Sequence, residues 1–208
     1  MSITRGHAVT AALSREGIVD AALGLVDRHG LAGLSMRRLG RELGVDPMAV
    51  YRHLPDKAAL LDGIVDALHA EMDLDSPAGA ASWRQELATY AGRVREVLHR
   101  HPRAVGVFVT RAGSVDTGNA RLADRLAAAG FAARTGSWMV ECVRSLTVGL
   151  VVAEVVGAAG SGADDDERFR FGLTALLDGF ERAGTQAALA RPSPRSPSAP
   201  RTRPTARR

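Results

Sequence analysis

Met48, Ala49, Tyr51, Arg52 and His53 sit together in a short stretch of chain, and their types suit a nucleic acid better than a protein core. Small and apolar groups such as Met48 and Ala49 can meet thymine methyls in a major groove. Arginine, histidine and tyrosine can reach base edges or phosphates. Arg37 and Arg38 open the preceding predicted helix, near where a DNA backbone would pass. Lys57, the only lysine, falls in the first turn of the following helix, where it can pair with a phosphate beside the N-terminal amides. Two members also have a plain reading: Tyr51 as a half-buried packing residue and His53 as a structural histidine at a helix end. Arg41 reads as a solvated charge rather than a contact.

Those side chains need a platform, and residues 36–55 have the requirements of a helix-turn-helix. Ser35 is placed to cap a helix over Met36 to Leu43. Gly40 supplies the small residue over which a second helix can cross, and Gly44 the turn residue that tolerates unusual backbone angles. Leu39, Leu43, Val45 and Val50 provide the apolar anchors. Asp46 caps the second helix, with Pro47 in its first turn and its end near His53.

The rest of the chain also reads as helix, which predicts an all-α protein. Ser14 caps a first helix with Ile18, Ala21, Ala22, Leu25 and Val26 at helical spacing, stopped by Gly30. Asp56 starts a fourth helix carrying Leu60, Leu61, Ile64, Val65, Leu68 and Met72. Asp75 to Gly79 has linker composition. Beyond it come a long helix from Ser82, a shorter one from Pro102 to about Arg111, a loop over 113–118 and a helix over 119–129. Ser137 to Gly157 is apolar on nearly every side after Arg144, as in a helix enclosed by its surroundings. A last helix spans about Asp166 to Arg182, and the acidic run Asp164 to Glu167 suits its N-terminus better than a metal. The predicted organisation is a flexible stretch 1–13, a DNA-binding domain 14–74, a helical domain 82–184, and a disordered tail 185–208 rich in Arg, Pro and Ser.

Composition narrows the function class. At 46% apolar and 4% aromatic residues, a core is affordable but must be built mainly from Ala, Val and Leu. Residues 1–60 carry eight basic against six acidic groups, residues 61–184 thirteen against seventeen, and the tail six basic and none acidic. An acidic middle between basic ends is compatible with a nucleic-acid partner. The single Cys142, in an apolar helix, excludes an internal disulfide and reads as inert. The longest apolar run, Val148 to Val156, contains Glu154 and is far short of a membrane span, so a cytoplasmic location is expected. There is no phosphate-binding glycine loop, zinc-ligand spacing or nucleophile elbow, so neither catalysis nor a metal or organic cofactor is expected. A helical small-molecule-binding or scaffold protein is the alternative, but it gives residues 36–57 nothing to do.

Ile18 to Ala22, Asp27 to Gly30, Leu34 to Gly40, Leu43 to Val45 and Val50 to Leu61 together resemble the TetR family of repressors. The most specific piece is Tyr51-x-His53 followed by Asp56-Lys57 and Leu60-Leu61, which looks like the tetracycline-repressor branch. The close match covers 14–72; the remainder is similar only in layout, with a Trp83 helix and a His101-Pro102 pair.

The resemblance implies a homodimer through helices of about 135–158 and 164–182, and a palindromic double-stranded operator. It also implies a small-molecule effector bound between helices of residues 82–158, which moves the fourth helix. By the same carry-over Arg37, Met48 and Ala49 would read bases, while Tyr51, His53 and Lys57 hold phosphates. The candidate DNA-binding set is Ser35, Arg37, Pro47, Met48, Ala49, Tyr51, Arg52, His53 and Lys57. No histidine falls within Ala104 to Phe108, where a magnesium–tetracycline site would want one. Trp83, Phe108, Phe131, Trp138 and Met139 instead offer a wall for a mostly apolar effector.

Overall fold

The computed structural model describes residues 13–73, 82–111, 117–157 and 162–189, and among them it contains helices and turns but no strand. The α-helices are α1 (Arg15–His29), α2 (Met36–Leu43), α3 (Pro47–Tyr51), α4 (Lys57–Glu71), α5 (Trp83–Arg100), α6 (Val105–Arg111), α7 (Thr117–Ala128), α8 (Ala133–Val155) and α9 (Gly162–Leu189). Helices α1 to α4 form a head, and α5 to α9 a larger body.

Local chemistry sets most helix starts. The side chains of Ser14, Ser35, Asp56 and Ser82 accept hydrogen bonds from the amides of Gly17, Arg38, Ala59 and Gln85 at 2.7–3.2 Å. Gly30 and Gly44, at φ 69° and 67°, stop α1 and α2 in a conformation that other residues rarely adopt.

The head core is a single apolar plug of Ile18, Ala22, Leu25, Val26, Leu39, Val50, Leu54, Leu60, Ile64 and Leu68. Gly63 makes the crossing of α1 over α4 possible, because a Cβ there would lie 2.7 Å from Cγ2 of Val19. In the body, α8 packs against α5 and α7. Gly136 lets it approach Leu126 and the Ala123 carbonyl, with Leu87, Val94, Leu98, Val143 and Val151 filling the space between helices. Helix α9 adds Phe169, Leu173 and Leu177.

Three expectations change. Helix α8 begins at Ala133 and is not enclosed within one chain: Trp138, Cys142, Val155 and Val156 are exposed. Helix α9 starts at Gly162 and runs to Leu189, so 185–189 are helical rather than part of a disordered tail. Thr185 to Leu189 lie before the first proline of the tail, and Gln, Ala and Leu are good helix formers. Finally, Pro102–Ala104 forms a separate 3-10 turn ahead of α6. All but the last residue of the predicted flexible stretch 1–13, the whole predicted linker 75–79, most of the 113–118 loop and tail residues 190–208 lie outside the described residues.

Candidate nucleic-acid interface

The outward helix α3 is held by its neighbours' backbone rather than by its own length. A Cβ on Gly40 would sit 3.0 Å from the Val45 carbonyl oxygen and 3.2 Å from the Pro47 nitrogen, so the turn and the start of α3 lie directly on that glycine. Gly44 takes the left-handed conformation at φ 67°, ψ 26°, and the Val45 amide donates back to the Gly40 carbonyl at 2.9 Å. Asp46 accepts from the Met48 amide at 2.7 Å, and Pro47 occupies the position where an amide hydrogen would have had no helical partner. Val50 and Leu54 turn fully inward and lock α3 and the following turn onto Leu39 and the head core.

With the inward positions spent, the other side chains face out. Met48 is 67% exposed and Tyr51 40%, with Arg52 and His53 exposed beside them and Pro47 and Ala49 half-buried. Tyr51 and His53 are thus surface groups, not packing residues. Arg37 is exposed in the first turn of α2. Two nearby acids are occupied: Glu42 bonds Arg28 at 2.6 Å, and Asp46 is the α3 cap. Arg37, Arg52 and His53 are thus exposed at the surface around α3, where Glu42 is already paired with Arg28.

Ser35 and Lys57 both have structural duties, the first expected from the sequence and the second not. The Ser35 hydroxyl oxygen caps α2. The Lys57 ammonium donates to the Leu34 carbonyl at 3.1 Å and ties the start of α4 to the residue before the α2 cap. An ammonium has three donors, so two remain for another acceptor.

The five residues grouped as an effector wall are not brought to one place. Trp83 and Phe131 meet edge-on with centroids 5.3 Å apart. Phe108 is 1% exposed and stands edge-on to His69, in the core on the α4 side. Trp138 is 56% exposed, with the Arg134 guanidinium 4.7 Å above its ring, and lines an open depression with Asn119, Ala123, Ser137 and Glu141. Met139, the next residue of the same helix, is buried. Consecutive helical residues point about 100° apart, and here that turns Trp138 toward solvent and Met139 into the core.

Sequence reasoning also passed over the charges that join the helices. Arg95 of α5 bonds Glu154 of α8 at 3.2 Å and Asp166 of α9 at 2.6 Å, with the Phe169 ring 4.9 Å away. Burial works against the charged guanidinium, but the two carboxylate bonds outweigh it and raise its pKa. The same Arg95 bond holds the Asp166 carboxyl below the usual range, and Arg144 does so for Glu141. His99 lies 2.6 Å from Glu154, and His101 lies between Asp27 and Glu71. Among the described residues no group of three His, Cys, Asp or Glu is disposed to hold a metal ion.

Comparison with known proteins agrees with this geometry. The family model for bacterial regulatory proteins of the TetR family matches residues 18–64. The chain is 32% identical over 180 residues to the class A tetracycline repressor protein from transposon 1721 of Escherichia coli, covering 83% of each chain. Its fold is similar to a TetR variant of Acinetobacter baumannii AYE crystallised with minocycline. That match has a TM-score of 0.73 and 30% identity, covering 82% of this chain and 98% of the other. BioQ bound to its natural double-stranded DNA operator superposes with a TM-score of 0.65 at 28% identity, over 81% of this chain and 98% of that one.

Proposed function

The chain belongs to the TetR family of bacterial regulatory proteins, and on that premise we propose that it is a repressor released from its operator by a small molecule. One observation carries the reading: α3 is seated over Gly40 so that Met48, Tyr51, Arg52 and His53 project from the surface. A helix of five residues contributes little stability alone. Its sequence serves instead to present side chains, and a major groove admits a helix of this width.

In this reading Arg37, Pro47, Met48 and Ala49 face base edges, and Tyr51, Arg52 and His53 hold the sugar–phosphate backbone. Ser35 and Lys57 set the α2 and α4 starts and offer their remaining donors to phosphates. The active form is a homodimer. Val156 and Phe171, 71% and 75% exposed, leave apolar surface on α8 and α9 that a second copy would cover. A two-fold pair then presents two α3 helices about 34 Å apart to a palindrome.

The effector is a small molecule bound among α5 to α8, and its expected apolar character loses its support because the five residues that suggested it lie apart. It acts by stabilising the arrangement that does not fit DNA, since a ligand with equal affinity for both states shifts nothing. Minocycline in the Acinetobacter relative supports a small-molecule site in the body. The absence of histidine from Ala104 to Phe108 argues against magnesium–tetracycline itself. The work of such a protein is in the cytoplasm, and no described helix is long and apolar enough to cross a membrane.

Selection of bound duplexes from a random pool tests the proposal. A two-fold symmetric consensus is the expected result. Retention of no sequence above background would remove it and return the chain to the class of helical carriers.

A further inference from the structure

Helix α5 holds α9 at two points, and both holds are ionic. Arg84, in the first turn of α5, bonds Asp178 and lies 3.5 Å from Glu181, toward the far end of α9. Arg95, nearer the other end of α5, donates to Asp166 in the opening turns of α9 at 2.6 Å. The two helices therefore run antiparallel. The arginines are eleven residues apart, close to three full turns, so they share one face of α5. From the helical rise they stand about 16 Å apart along it, and their acids Asp166 and Asp178 about 18 Å apart along α9. The spans match, and one register satisfies both pairs.

Apolar packing alone does not fix that register. The buried residues of α9, Phe169, Leu173 and Leu177, form a single row at intervals of four, with Leu176 and Phe180 half-buried beside it. Such a row seats a helix in a groove but leaves it free to rock about the row. The hold at Arg95 is itself anchored. Its guanidinium bonds Glu154 of α8 at 3.2 Å, a carboxylate 5% exposed, and lies 4.9 Å from the Phe169 ring. The Asp166 bond thus starts from a cation already fixed between α5 and α8.

Between the two holds α9 carries its uncovered face. Phe171 is 75% exposed, and Glu167, Arg170, Thr174 and Ala175 surround it in an open depression whose rim includes Asp178. An acid and a base beside one apolar centre suit a second copy of the same surface. A two-fold contact is self-complementary, so the acid of one copy can meet the base of the other. A face already held in place loses less freedom on association than one that rocks.

We propose that Arg84 and Arg95 are positioning residues for self-association. They hold α9 at both ends, so that the Phe171 face is in place before a second copy meets it. The inference rests on the homodimer proposed above and names what sets its geometry.

Sedimentation equilibrium on the full chain without DNA tests it. Arg84→Gln and Asp166→Asn each release one hold and keep both Phe171 and the buried Arg95–Glu154 pair. Combined, they should raise the dimer dissociation constant about tenfold, because each pair is modest alone but a two-fold dimer carries four. Asp166→Asn alone should raise it about threefold. Glu86→Gln breaks a comparable bridge from α5 to α7, Arg125–Glu86 at 2.9 Å, and should dissociate as the wild type does. A double variant that dissociates like the wild type, or Glu86→Gln weakened as much as the double variant, would overturn the proposal. Should Arg84→Gln fold poorly, Asp166→Asn decides, since Asp166 is exposed and its loss leaves the core intact. A dissociation constant unchanged in that variant overturns the proposal. A wild type that is monomeric at every concentration removes the homodimer and this inference together. A dimeric wild type with an unresponsive double variant removes this inference alone.

Discussion

Head and body are both helical, yet they finish their surfaces differently. In the head, every large aliphatic side chain from Ile18 to Leu68 that faces inward is covered by the same chain, and the exposed Met48 and Tyr51 on α3 stand among polar and charged neighbours, Arg52 and His53. In the body, Trp138, Val155, Val156 and Phe171 remain uncovered on α8 and α9. Scattered exposed apolar residues are ordinary, but several on adjoining long helices make an unfinished core. The difference teaches that the head is complete as a unit and needs only to be positioned, whereas the body is half of something larger.

The sharpest way to break that contrast is Phe171→Asp. A charge at the centre of the uncovered face should make the chain monomeric in sedimentation while the head stays folded. Operator affinity should fall by on the order of 10²- to 10⁴-fold, the usual gain from linking two binding modules. A dimer that survives the change would mean that α8 and α9 are not the contact.

Glycines give the next comparison. Gly40→Ala pushes a methyl against the Val45 carbonyl and Pro47, and should cost about 1–3 kcal/mol of stability, measured by denaturant unfolding. Gly92→Ala, on an open face in the middle of α5, meets nothing within 4 Å and should stabilise by up to about 1 kcal/mol. The same substitution thus takes opposite signs in the two regions.

Removing the α3 cap with Asp46→Ala should cost about 1 kcal/mol and weaken DNA binding beyond its effect on the melting temperature. The smallest effect belongs to Asp166→Asn, which breaks the Arg95 bridge. The Asp166 carboxyl titrates below its ordinary value in the folded chain. Its contribution is therefore present above the unfolded value of about 3.9 and lost as pH falls through the folded one. The gap in melting temperature between wild type and variant should close below about pH 4.

The two regions were also unequally legible. Most element boundaries of the head could be read because they are written in short-range chemistry: Ser14, Ser35, Asp46 and Asp56 at starts, Gly30 and Gly44 at stops. The glycine under the α2–α3 turn was legible for the same reason. Gly63 was not, since a glycine inside a helix gives no sign of which neighbour it admits; only the crossing of α1 identifies Val19. The body escaped the sequence more often because its contacts are long-range. Arg95 reaches Asp166 and Arg84 reaches Asp178 across many residues of chain, and no local pattern pairs them. Counting aromatics grouped five residues that the fold does not bring to one place, because burial of Phe108 and Met139 and exposure of Trp138 depend on how the helices pack.

The central claim is that α3 faces outward to read DNA. It is tested most directly by comparing wild type with Met48→Asp on a duplex obtained by selection and on a scrambled duplex of the same composition. Met48 touches no core, so the melting temperature should be unchanged while the preference for the selected duplex drops at least tenfold, the worth of one good base contact. Unchanged preference in a folded Met48→Asp protein would contradict the account.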